Sequence, residues 1–201
     1  MVIDNNLKFE PLQDMDNIEY IIFHHTGTTA RQSVETIHNF HKNTRGWSGI
    51  GYHFYIRRNG DIYKGRPTNK RGVHTKGQNY RSLAICLEGN FEIENPTEEQ
   101  YKSSRELVEM LRHTYKELKV KQHKDFGDTK CAGANFNIEE VFPKEDIPNW
   151  KLEGVNYLVD KGLINDKQYW TERIDDTMPT WAIMLVMKRI HENIKGGKSK
   201  C

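Results

Sequence analysis

Little in this sequence points to a specialised architecture. Three cysteines in 201 residues, irregularly placed, do not make a disulfide framework, so each is read first as a thiol. Six prolines and fifteen glycines exclude collagenous and low-complexity classes, and 10% aromatic residues argue against disorder. No apolar run approaches the roughly 18 residues that cross a bilayer, so no transmembrane segment is expected. The opening MVIDNNLKFEPLQDMDN has neither a basic leader nor an apolar stretch, which predicts synthesis in the cytoplasm without a signal peptide. What remains is a chain long enough for one sizeable core, commonly closed at roughly 100 to 200 residues, and one small appendage.

Negative charge is nearly missing from one segment. From Lys42 to Arg81 there is one acid, Asp61, against ten Lys or Arg, a local charge of +9 that leaves −7 for the rest of a chain whose total is +2. Such a stretch attracts polyanions, or it solvates a loop-rich face.

Strands and helices alternate through the first two thirds. The run Ile18 to His25 (IEYIIFHH) suits a buried strand, and Val34, Ile37, His38 and His41 recur at helical spacing. Gly51 to Arg57 reads as a strand, Asn59-Gly60 before Ile62-Tyr63 as a hairpin turn, and Ser82 to Glu88 as a further strand. Thr97 and Gln100 form a capping box for a long helix with Tyr101, Leu107, Val108, Leu111 and Tyr115 on its apolar face. The expected fold class is α/β, a mixed central β-sheet flanked by helices, with a small α-helical domain at the C-terminus. The expected division is a catalytic domain over 1–142, a linker over 143–150 bounded by Pro143 and Pro148, and a helical domain over 151–201. In that last part Leu152 to Val159 and Trp181 to Ile190 read as amphipathic helices, Tyr169-Trp170 as a short element, and Lys195 to Cys201 as a frayed tail.

Nine histidines are present, and those at helical positions (His38, His41, His113, His191) read as surface or core-edge residues. The informative ones are His24-His25 at a strand end, and His123 with Cys131 eight residues later. A strand end and a glycine-containing loop bring such groups together without distorting a regular element. Imidazole and thiolate donors select zinc, and three protein ligands leave a fourth position for water, the catalytic arrangement. Adjacent strand residues face opposite ways, so only one of His24 and His25 points at a metal.

Five segments then occur in a telling order: Ile21 to Thr26 (IIFHHT), Gly51 to Ile56 with Asn59-Gly60, Gly72-Val73-His74, Leu87 to Phe91 (LEGNF), and His123-Lys124-Asp125 followed by Thr129 to Gly133 (TKCAG). Together they resemble the zinc-dependent type 2 N-acetylmuramoyl-L-alanine amidases, a family that includes phage endolysins and peptidoglycan recognition proteins. The resemblance covers roughly residues 18 to 142. It implies a Zn2+ cofactor held by His24, His123 and Cys131, and catalytic roles for Tyr52, facing the water or developing oxyanion, and Thr129, a transition-state donor. It also implies a substrate-binding role for His74 in the cleft.

Two departures from the family pattern stand out. Some branches carry a catalytic Glu where this chain has Cys86, read here as a buried small hydrophobe, with Glu88 an alternative acid or base. Relatives read Cys-Pro-Gly after the third ligand, where this chain has Cys131-Ala132-Gly133.

The implied activity is hydrolysis of the amide between N-acetylmuramic acid and L-alanine in bacterial peptidoglycan, the alternative being a non-catalytic peptidoglycan-binding module. Binders typically lack the cysteine ligand. A nucleic-acid partner is not expected, because it gives the ordered His, Tyr and Cys set no role. The Lys42–Arg81 segment is expected to meet anionic cell-wall polymers. A leaderless lysin would reach the wall after holin-mediated or lysis-dependent release. The C-terminal helices suggest wall binding or dimerisation by analogy.

Overall fold

A computed structural model describes residues 1–15, 17–115, 117–142, 149–172 and 180–196. By internal contacts the chain divides into two compact units, Met1–Lys144 and Glu145–Cys201.

The first unit is built on six strands: β1 (Val2–Ile3), β2 (Tyr20–His25), β3 (Phe54–Ile56), β4 (Ile62–Lys64), β5 (Ser82–Leu87) and β6 (Lys119–Gln122). Their order is β1-β4-β3-β5-β2-β6; β3 and β4 are antiparallel, and every other neighbouring pair is parallel. The mixed sheet and its flanking helices are the expected class. The central strands β2 and β5 are almost wholly buried, which is why they read as continuous apolar runs rather than alternating ones.

Alternation along these strands sorts the side chains onto two faces. Ile21, Phe23, Leu83, Ile85 and Leu87 join Leu107, Val108 and Leu111 of helix α2 (Glu98–Thr114) in the larger core. Ala84, Cys86 and Tyr55 have the opposite parity. Cys86 and Tyr55 pack with Val34 and Ile37 of helix α1 (Val34–Asn39) and with Ile50. Each fully buried Leu, Ile or Phe contributes roughly 1.5–3 kcal/mol, so the sheet is held from both sides. The capping box of α2 is present: Thr97 Oγ1 accepts from Gln100 N at 3.1 Å and Gln100 Oε1 accepts from Thr97 N at 3.1 Å.

Two elements are shorter than their sequence pattern. The expected strand Gly51 to Arg57 is regular only over Phe54–Ile56, although His53 N still donates to Ala84 O. The cause is the close approach of the 72–73 loop. A Cβ at Gly51 would sit 2.1 Å from Val73 O, so only glycine fits, and the chain bends there. The hairpin turn is as read, with Gly60 at φ +84. Helix α1 runs on into a π-helical turn over Phe40–Thr44, which carries His41 inward.

Of the surface and core-edge readings, His38 and His41 take the core-edge one, buried at 5% and 7% exposure. Their Nδ1 atoms accept the backbone N–H groups of Ile50 and Gly51 at 3.3 and 3.1 Å, satisfying a segment that has left the sheet ladder. His53, wholly buried, does the same, with Nδ1 taking the Ala84 N–H and Nε2 facing Lys70 O.

The basic segment is largely matched by acids from outside it. Lys42 pairs with Glu10, Lys64 with Asp4, Lys70 with Asp14, Arg81 with Glu19, and Arg57 and Arg58 with Glu88, Arg58 also with Glu94. Arg66 is buried and donates to the carbonyls of Ile50 and Arg71. Six of the ten cations therefore meet acids from outside the segment.

The second unit holds α3 (Asn149–Asp160), α4 (Lys167–Glu172) and α5 (Thr180–Gly196). Val155, Leu163 and Ile164 are buried, and Arg189 Nη1 donates to Leu163 O at 3.0 Å. Ile183, Met184, Leu185, Met187 and Ile190 of α5 are exposed, as is Tyr157. The linker prolines and the tail beyond Gly196 lie outside the described residues, as do the side chains of Trp150, Tyr169 and Trp181. No helix among the described residues is long and apolar enough to cross a membrane.

Candidate metal centre

The strand register answers the question posed by the adjacent histidines. His24 is paired with Cys86, shares the face of Ile22, Ala84 and Cys86, and is 2% exposed. His25 points the other way, where its Nδ1 accepts Phe91 N–H at 3.1 Å. Beyond β6, the 3-10 turn His123–Phe126 and the loop to Gly133 bring up the other two groups. Lys124 N donates to Cys131 O at 2.7 Å, which ties the His123 and Cys131 segments together, and Gly133 N donates to Lys130 O at 2.6 Å within the Cys131 turn.

His24, His123 and Cys131 offer donor atoms that all lie within 4.8 Å of one another. His24 Nδ1 is 3.6 Å from Cys131 Sγ. Tetrahedral zinc with bonds of about 2.1 Å to nitrogen and 2.3 Å to sulfur needs a nitrogen–sulfur separation of about 3.6 Å, so the spacing fits. The donor chemistry fits as well. Burial holds His24 well below the ordinary imidazole range, reinforced by His74 and His123, and it also lowers His123, so both rings are neutral and offer lone pairs at neutral pH. Burial pushes the Cys131 thiol up to about 11, partly offset by the His25 N–H, which points at Sγ from 3.4 Å. A buried thiol of this kind ionises when a cation arrives to share the site.

Tyr52 stands beside this set. Its ring centroid is 5.3 Å from that of His24 and 5.6 Å from that of His41, and the ring packs on the Val34, Ile37, Ile50, Tyr55 and Cys86 cluster. Arg66 N–H holds the Tyr52 carbonyl at 2.9 Å. Burial, with the Cys86 and Cys131 sulfurs adding to it, raises the phenol well above its usual range, so it keeps its proton.

Thr129 is half-buried, and its Oγ1 accepts the Cys131 N–H at 3.3 Å, leaving its own O–H free to donate. His74 is also half-buried, with its ring nitrogens toward His24, Thr75 and Ser82. Cys86 is wholly buried. Glu88 is 1% exposed, and its two carboxylate oxygens accept from Gln32 N at 2.7 Å and Arg58 N at 3.1 Å. That carboxylate anchors the entry to α1 and the hairpin.

Residues 14–134 match the family model described as N-acetylmuramoyl-L-alanine amidase. The chain belongs to this amidase family. Among curated proteins it is similar to the endolysin of Enterobacteria phage T3, 31% identical over 136 residues that make up 64% of this chain and 88% of the phage protein. Among solved structures it is similar to the N-acetylmuramoyl-L-alanine amidase LysC from Clostridium intestinale URNW, with 42% identity, a TM-score of 0.67, and coverage of 70% of this chain and 94% of that one. A bumblebee PGRP-SA structure, 25% identical, superposes with a TM-score of 0.65, covering 74% of this chain and 98% of that one. The family match spans strands β2 to β6 and the ligand loop.

What the amidase sequence did not disclose is the support around the donors. The inward turn of His41 behind Tyr52 was signalled only by its helical spacing from Val34 and Ile37. The Thr75 and Ser82 hydroxyls near His74, and the His25 N–H aimed at Cys131, had no signal at all, because they depend on loop geometry.

Proposed function

We propose that this amidase is a zinc-dependent peptidoglycan hydrolase of the endolysin type, cleaving the amide between N-acetylmuramic acid and L-alanine. The observation that carries this reading is the His24, His123 and Cys131 donor set, at zinc spacing beside the Tyr52 ring, inside the segment that matches the family. When bound, zinc supplies Lewis acidity, lowering the pKa of a water toward about 7 and polarising the amide carbonyl.

The chain's own groups do the remaining work. Tyr52, protonated at neutral pH, donates a hydrogen bond to the carbonyl oxygen as it becomes negative. Thr129 offers a second O–H to the same oxygen. The proton that the departing L-alanine amine gains is the one the attacking water gives up, so Tyr52 keeps its own; Glu88 is not assigned to relay it, because both its oxygens are committed to backbone N–H groups. The low-dielectric wall around Tyr52 and His24 strengthens each of these interactions. The test is release of free L-alanine amino groups from purified cell walls. Amino groups should appear without new reducing ends, stop with a chelator and resume with added zinc; reducing ends instead of amino groups would overturn the reading.

The finer assignments follow from the same frame. Residues 1–142 carry catalysis, 143–150 link, and 151–201 bind the wall, the enzyme reaching it after holin-mediated or lysis-dependent release, which the likeness to phage endolysins supports. Arg45, Arg71 and Lys76 form no ion pair among the described residues, and they are the cations of the 42–81 segment placed to meet anionic wall polymers. A chain ending at Lys144 should lose wall binding while still cleaving soluble muropeptides, and the binding that persists should weaken with salt. Undiminished binding by the shortened chain, with a fall from dimer to monomer, would assign the helices to dimerisation instead.

A further inference from the structure

His74 is drawn into the metal centre from behind. The edge of His24 opposite Cys131 carries Nε2, which lies 3.1 Å from His74 Nδ1 and 3.4 Å from Thr75 Oγ1. The two imidazoles meet edge to face, with centroids 5.0 Å apart and planes at 87°. On its far side His74 Nε2 is 3.4 Å from Ser82 Oγ, whose hydroxyl donates to Gln78 O at 2.7 Å. Asn79 Oδ1 accepts the N–H groups of both His74 and Thr75, at 2.8 and 2.9 Å, and so fixes the corner.

The protons along this line can be placed one by one. A ligand nitrogen must present a lone pair, and His24 turns Nδ1 toward Cys131, so its proton sits on Nε2. That proton has His74 Nδ1 as its nearest acceptor. His74 then carries its own proton on Nε2, facing Ser82 Oγ, which still donates onward to Gln78 O. We infer that His74 is a positioning residue for the metal centre. It accepts the Nε2 proton of His24, holds that ring in the tautomer offering Nδ1 to the ion, and is itself braced by Ser82.

Metal-bound histidines commonly lean on a partner in this way, often a carboxylate. A neutral imidazole in that place orients the ligand without adding negative charge to the two-histidine, one-cysteine set. This role uses both ring nitrogens of His74 within the protein and replaces the substrate contact that family resemblance implies.

The inference rests on the metal reading above, and its test separates the two. Zinc affinity of the full chain is measured by competition with a chromophoric chelator, and ligand geometry by the visible spectrum of the cobalt(II)-substituted protein. His74→Phe, which keeps ring volume but no acceptor, should bind zinc about 10- to 100-fold more weakly and alter the cobalt spectrum. His74→Gln, which keeps an acceptor oxygen, should restore most of both. Thr75→Val should stay near the native values. Melting of the metal-free proteins checks that each variant folds, and His74→Ala replaces His74→Phe if the larger ring disrupts packing. Native zinc affinity and spectrum in the acceptor-less variant, with a raised KM for wall fragments, would make His74 a substrate contact and overturn the inference. So would a loss that His74→Gln fails to rescue, or one that Thr75→Val reproduces. A native chain that takes up no zinc sinks the metal reading itself.

Discussion

Cys131→Ala is expected to leave no measurable amide cleavage and no stoichiometric zinc, the largest effect of any single substitution in this chain. Two imidazoles remain, but the anionic ligand is gone, and a pair of neutral donors does not hold the ion at micromolar concentrations against water. The fold should survive, because Cys131 is only half-buried and the ties of its loop are backbone hydrogen bonds from Lys124 and Gly133. The same residue sets a proton count. Its thiol is raised to about 11 and is therefore protonated at pH 7, whereas His24 and His123 are lowered and already neutral. Among the protein ligands, zinc uptake should then release one proton, from Cys131, so apparent affinity should rise at least tenfold per pH unit between about 6.5 and 8, more steeply above about 7 where a bound water also ionises. Calorimetry in buffers of different ionisation enthalpy reads this directly. Lytic activity in the variant, or zinc uptake by the native chain with no proton released, would contradict the assignment.

Tyr52→Phe is the second large effect. Its phenol is a donor held in a water-poor wall, and removing one such donor from a developing oxyanion typically costs about 100-fold or more in kcat. The ring contacts with His24 and His41 survive in phenylalanine, so zinc affinity and melting temperature should stay near native while turnover collapses. Because the phenol is raised well above its ordinary value, the native enzyme should show no alkaline loss from Tyr52 ionisation below about pH 10. A Phe variant with native kcat would remove Tyr52 from the chemistry and leave Thr129 to be examined by the same measurement.

Much of the amidase unit could be read from residue order because its signals are local. The runs around Ile21 and Ile85 are fully buried strands, and burial on both faces is what makes them uninterrupted. The Thr97–Gln100 box marks a helix start through contacts three residues apart. His123 and Cys131 sit close in sequence on one loop, so their joint presentation needs little beyond a turn. Other features were closed to such reading because they arise between distant segments. The bend at Gly51 comes from the approach of Val73, and the burial of Glu88 comes from the N–H groups of Gln32 and Arg58. The charge of the 42–81 segment looked like an open basic face until Glu10, Asp4, Asp14, Glu19 and Glu94 were seen to pair with it.

The cysteines, scarce as they are, divide along the same line. The sequence alone determined that three irregularly placed cysteines read as thiols rather than as a disulfide framework, that a mixed sheet with a capped helix forms, and that the parts of a family-type donor set, a histidine pair with His123 and Cys131, occur in order. Only the tertiary structure decided that His24 rather than His25 faces Cys131, that Cys86 lies sealed beneath Tyr52, and that His74 stands behind a ligand. Residue types and short spacings encode what each group is able to do. Parity across a parallel pair, and the meeting of loops some fifty or a hundred residues apart, set which groups come within bonding reach.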